Sequence, residues 1–169
     1  MNRLLAVIAA LAAGAVSLPA AAQSANDFAR DAIRGDNSEI IAGNYAARHA
    51  SSAELRQFAQ TLVKDATAAR AQMLKAAPSI KEFPAEGPKA SGQTEQDKLA
   101  KLSGRAYDEA YLDYTIKDHQ HVVADFEHMA QSRKQEQINQ IAAEQLPTLR
   151  QQLKTAQDLK ARLASQASH

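Results

Sequence analysis

Leu55, Phe58, Leu62, Ala66, Ala69, Met73 and Ala76 recur at intervals of three and four residues. At about 100° per residue they fall within roughly 80° of arc, so the segment has one apolar stripe and must bury it against another helix. Ser51-Ser-Ala-Glu54 has the spacing of a capping box and marks its start. The same periodicity recurs elsewhere. A first helix over about 26–48 puts Phe28, Ala32, Gly35, Glu39, Ala42, Gly43, Ala46 and Ala50 near one face, whose small residues permit close approach. A third, over about 94–131 with a break at Ser103-Gly104, turns Asp108, Leu112, Thr115, Ile116, His119, Val122, Val123, Phe126 and Met129 inward. A fourth, over about 134–164, has the stripe Ile138, Ile141, Ala142, Gln145, Leu149, Gln152, Ala156, Leu159 and Leu163. Pro147 lies inside it and predicts a kink over 143–147, because proline removes a backbone bond and crowds the preceding turn. Nothing reads as a strand, and the abundance of Ala, Leu, Gln, Lys and Glu favours helix throughout.

The connections set the topology. Helices one and two, and helices three and four, are joined by short turns, the second around Ser132. Between Ala77 and Gln93 the pattern gives way to Pro78, Pro84, Gly87, Pro88 and Gly92. About 17 residues at up to about 3.3 Å each can span roughly 55 Å, whereas a 25-residue helix is only about 37 Å long. Helices two and three can therefore point the same way. The expected fold is all-α: two helical hairpins joined by a long crossover, as in ferritin-like four-helix bundles, with a simple up-down-up-down bundle as the structural alternative.

The first 22 residues read as a secretory leader. Arg3 supplies the positive start, Leu4 to Val16 the apolar run, and Ala20-Ala21-Ala22 the small residues before a cleavage that leaves Gln23 first. The run is too short for a membrane anchor and ends at Pro19. No cysteine stands near the cleavage site, so lipid attachment there is excluded, and the expected location is periplasmic or secreted. Residues 23–169 suit one domain, with a core over about 26–164. The leader takes Arg3 with it, leaving 19 Lys and Arg against 19 Asp and Glu. A neutral chain with interspersed charges lacks the basic field that nucleic acid requires, and with no Cys neither disulfides nor thiolate metal sites can form.

The fragments Glu54-Leu-Arg-Gln-Phe-Ala-Gln-Thr-Leu-Val-Lys-Asp65, Leu102-Ser-Gly-Arg-Ala-Tyr-Asp-Glu-Ala-Tyr-Leu-Asp113, Lys117-Asp-His119 and Leu146-Pro-Thr-Leu-Arg150 resemble an exported bacterial family known only as domain of unknown function 4142. The resemblance covers about 26–159 and implies a ferritin-like bundle without naming an activity. The family pattern often has Asp-His-Thr where this chain has Asp65-Ala66-Thr67, and often a histidine at the place of Gln152, while Glu39 and Asp118-His119 match. Two inward histidines are thus replaced here, so the resemblance implies at most a reduced metal site.

His119 is the ionisable group in the middle of an apolar stripe, and it needs a partner or a metal. A di-iron centre needs a Glu-x-x-His turn on two helices, and none occurs in the sequence. What remains is a single transition metal held by Glu39 and His119, with Asp65 at the flank and Gln152 or Gln145 opposite. The competing expectation is a polar core in which Glu39 and His119 satisfy each other and the glutamines, with no cofactor. Asp118, His121, Asp125 and His128 contain two Asp-x-x-His patterns, but His121 and His128 project away from His119 and belong to a solvated face. Tyr107, Tyr111 and Tyr114 form a strip beside the apolar stripe, suited to packing at the edge of the core. His49 closes the first helix, where a cation favours the dipole, and His169 is terminal. No Gly-x-Ser-x-Gly turn or phosphate-cradling glycine loop is present.

The expected function is that of an exported bundle without catalytic residues, serving as a binding or envelope-stress accessory protein. The alternative is a metal-binding protein using Glu39 and His119. A third possibility is self-association through the small-residue face of the first helix.

Overall fold

The computed structural model describes residues 24–77, 87–132 and 136–166; the leader, its cleavage site, Pro78, Pro84 and His169 lie outside them. The described residues form five helices and no strand: α1 (Ala25–His49), α2 (Ala53–Ala76), α3 (Ala90–Leu99), α4 (Gly104–Ala130) and α5 (Glu136–Ser165). None of them is long and apolar enough to cross a membrane.

Local chemistry sets the ends. Ser24 caps α1, its Oγ accepting from the Asp27 N–H at 3.1 Å. The cap of α2 is Ser52, accepting from Leu55 N–H at 3.3 Å, one residue later than the Ser51 capping box expected. Ser51 is occupied elsewhere: its N–H and Oγ, with the Ser52 N–H, all donate to the Asp108 carboxylate of α4, at 2.8, 2.6 and 2.8 Å. The break at Ser103-Gly104 is present, with Gly104 in the left-handed region at φ +59°. Helix α5 continues through Pro147 as one element.

The connection between α2 and α4 differs from the expectation, for α3 starts at Ala90 and contains Gly92. A Cβ at Gly92 would stand 2.6 Å from Ser38 Oγ, so the glycine is there to let α3 lie close on α1. In sequence, a glycine serving close approach and one serving a turn look alike.

Helix α1 packs chiefly on α2, and α4 chiefly on α5. Asp108 ties the start of α4 to the α1–α2 turn, while Phe126 and Met129 at its end meet Phe28 and Met73. Helices α2 and α4 therefore run the same way, joined by the crossover that carries α3. The core has two parts. One, at the α1–α2 turn, gathers Ala46, Leu55, Phe58, Leu62, Tyr107, Tyr111, Leu112 and Leu159. The other gathers Phe28, Ile33, Met73, Phe126, Met129, Ile138 and Leu146 at the opposite end.

Tyr107 and Tyr111 are not edge residues. Both are fully buried, 0% and 1% exposed, with their rings stacked at 6.0 Å, and only Tyr114 stays half-buried as expected of all three. Burial pushes the hydroxyls of all three above the ordinary tyrosine range. The small-residue face of α1 is likewise spent inside the chain: Ala42 and Ala46 are buried, and a Cβ at Gly43 would stand 2.7 Å from Val63 Cγ2 and 3.2 Å from the Ala59 carbonyl.

Candidate binding cleft

Helical periodicity places positions 39, 66, 119 and 152 around one interior, and the structure brings their side chains to a single cleft of about 260 Å³ between α1, α2, α4 and α5. At its base His119 is 2% exposed. Its Nδ1 lies 3.0 Å from the Thr115 carbonyl, which can only accept, so Nδ1 carries a hydrogen. Its Nε2 then faces two oxygens, Gln152 Oε1 at 3.2 Å and Glu39 Oε1 at 3.4 Å. The Gln152 amide is oriented by its other end, where Nε2 donates to Asp65 Oδ2 at 3.0 Å. Only an N–H on Nε2 can serve both oxygens, since a proton on Glu39 would donate to Nε2 and leave the Gln152 oxygen facing a lone pair.

The Glu39 side chain is 17% exposed, and its carboxyl is pushed up to about 7, first by burial, with the His119 charge opposing and Asp118 and Asp65 adding to the rise. Asp36, three residues earlier on α1, is also raised well above the carboxylate range, by burial and by Glu39, against the pull of Arg70 and Lys89. The cleft gathers acidic side chains whose charged form burial disfavours.

Gln145 does not join the base; it donates to Gln72 Oε1 at 3.1 Å across the α2–α5 edge of the cleft. His121 and His128 are exposed, as expected. Asp125, placed with them on the solvated face, is exposed but lies at the mouth of the cleft. His49 stacks on Tyr45, ring centroids 4.0 Å apart, at the end of α1. Among the described residues no three His, Asp or Glu side chains stand close enough together to hold a metal ion.

Asp31, Asp36, Lys89 and Glu144 also line the cleft, and sequence reasoning did not select them. A usable trace existed on α1, where Phe28, Asp31, Ala32, Gly35 and Glu39 keep three-and-four spacing with acidic and apolar residues on one face. No such trace existed for Lys89. It arrives from the crossover, more than fifty positions from its α1 neighbours, where its N–H donates to Ser38 Oγ at 2.9 Å.

Over residues 10–159 the chain matches the family described as Domain of unknown function (DUF4142). No curated protein matches it. Among solved structures it is similar to a DUF305 protein of Streptomyces coelicolor, inferred to be secreted, with 18% identity, a TM-score of 0.69, and 85% of this chain and 95% of that chain covered. At that identity the likeness is one of fold.

Proposed function

This chain belongs to the DUF4142 family, and on that footing we propose that it is an exported, ferritin-like four-helix bundle that holds a small ligand in the Glu39–His119 cleft without transforming it. Residues 1–22 are the leader and 23–169 a single domain. The parallel course of α2 and α4 and the crossover between them support the ferritin-like order. An envelope-stress accessory role is the physiological setting that suits a small exported bundle.

The observation that carries the binding function is the cleft itself: about 260 Å³, walled by side chains of four helices, with an already satisfied network at its base. The same network argues against catalysis. A general base needs a lone pair free to reach substrate, and both nitrogens of His119 are engaged, by Thr115 on one side and by Glu39 and Gln152 on the other. Titrating the purified protein with acetate, butane-1,4-diol and butane-1,4-diamine while following the His119 and Gln152 side-chain resonances tests this function. At least one probe is expected to move them, and Ala66→Trp, which fills the cleft, is expected to abolish the response. Silence towards all three ends the proposal.

A metal site is the second reading, favoured by one distance: His119 Nε2 and Glu39 Oε1 are 3.4 Å apart and could converge on one ion. It lacks a third strong donor, since Gln152 offers an amide and Asp65 is turned to that amide. Protein purified without chelator or affinity tag is expected to contain clearly substoichiometric transition metal. One equivalent, lost in Glu39→Ala or His119→Ala, would put the metal first. Ala66→His returns the family's histidine to the cleft wall, and a gain in zinc affinity there would show that the site can be rebuilt.

A further inference from the structure

We propose that the cleft takes a small aliphatic amine and that Lys89, reaching in from the crossover, is a tethered competitor for the same place. This rests on the cleft being the binding site.

The lining supplies the ligand class. Six carboxylates, Asp31, Asp36, Glu39, Asp65, Asp125 and Glu144, face one lysine and one imidazole. Burial raises two of them, Asp36 and Glu39, and a cation brought beside them is favoured because it opposes that rise. The rest of the wall is apolar, with Phe28, Phe126, Val122 and Leu149 among it. A hydrated metal ion has no use for that surface, and the carboxylates are spread around the cleft rather than converging in threes. An alkylammonium uses both parts, stem on the apolar side and charge towards the acids. The volume, equal to that of on the order of nine waters at about 30 Å³ each, suits a short chain.

The protein supplies one such chain itself. At Lys89 and just before it the crossover is fastened to α1: Asn37 Nδ2 donates to the Gly87 carbonyl at 3.1 Å, with Gly87 at φ +83°, and Lys89 N–H donates to Ser38 Oγ at 2.9 Å. The side chain then lies along Gly35, where an added Cβ would be 3.6 Å from Lys89 Cε and 3.7 Å from Nζ, and its ammonium enters the cleft. A four-carbon ammonium thus lines the same cleft as these carboxylates, anchored by its own backbone. Its charge is one of those that hold down the rise at Asp36.

The test is calorimetric titration of the full exported protein and of Lys89→Ala and Asp36→Asn with butane-1,4-diamine, using butane-1,4-diol as the neutral control and circular dichroism to verify folding. Removing the tethered rival should tighten diamine binding by about tenfold or more, Asp36→Asn should weaken it, and the diol should not bind. Equal affinity in wild type and Lys89→Ala would overturn the competitor role. If folded Lys89→Ala ignores the diamine while the diol or acetate still moves His119, the amine assignment falls and the cleft stands. If no probe moves His119, both fall together.

Discussion

Asp108 and Glu39 are both carboxylates held inside the pair of hairpins, one at the α1–α2 turn and one beside the cleft. Asp108 is 0% exposed and accepts from three donors, the Ser51 and Ser52 N–H groups and Ser51 Oγ, at 2.6–2.8 Å. Glu39 is paired with His119, at 3.4 Å, and has other carboxylates as neighbours. Equal residue chemistry has been put to different ends. At the turn, a buried charge paired with fixed backbone donors locks two helices to a third. At the cleft, a buried acid short of donors keeps its proton close to neutrality, the condition of a site that can still respond to a partner.

The contrast can be broken most forcefully at the turn. Asp108→Ala takes the buried acceptor from two part-buried N–H groups and a hydroxyl, so it should cost about 4 kcal/mol in urea unfolding, with Asp108→Asn recovering only part. If Asp108→Ala costs no more than an exposed substitution, the turn is not held as described.

Next comes the pH dependence of the cleft. Glu39 is at about 7 in the folded protein against an ordinary 4.5, so between those values the native state holds a proton that the unfolded chain has released. Its contribution is therefore most favourable below about 4.5 and is lost as pH rises to about 7, by about 3 kcal/mol at most. Glu39→Gln should flatten that slope. An unchanged slope in the variant would assign the dependence to other groups.

A smaller effect is expected where α1 and α2 touch. Gly43→Ala would place Cβ 2.7 Å from Val63 Cγ2 and 3.2 Å from a backbone oxygen. Valine is stiff on a helix, so the helices must part, at about 2 kcal/mol by thermal or urea melting. The smallest belongs to neither site: Lys154→Ala removes an exposed ion pair to Asp158 at 2.7 Å and should cost about 0.3 kcal/mol, the baseline against which the others are read.

Much of the fold was legible because helix periodicity is an angular property of neighbouring residues. The stripes of α2, α4 and α5, the break before Gly104 and the inward course of His119 all follow from spacing, and the four positions 39, 66, 119 and 152 do share a cleft. Ile33 and Leu146 were missed, although both are buried, because each lies beside a stripe chosen on its strongest members. Tyr107 was placed at an edge because its hydroxyl argued for water. In the structure that hydroxyl has no hydrogen-bond partner among the described residues, and the ring packs with Tyr45 and Tyr111.

The sequence by itself determined the helical class, the residues each helix turns inward and the absence of thiol chemistry, since these depend on local spacing and on which side chains exist. Only the tertiary structure decided that Asp108 would grip Ser51 and Ser52 from 57 and 56 residues away, that Gln152 would reach Asp65 across 87, and that Lys89 would be carried into an acidic cleft. Such pairings depend on how helices are stacked and where a crossover lands. Those are properties of distance through space, and periodicity along the chain records only direction around an axis.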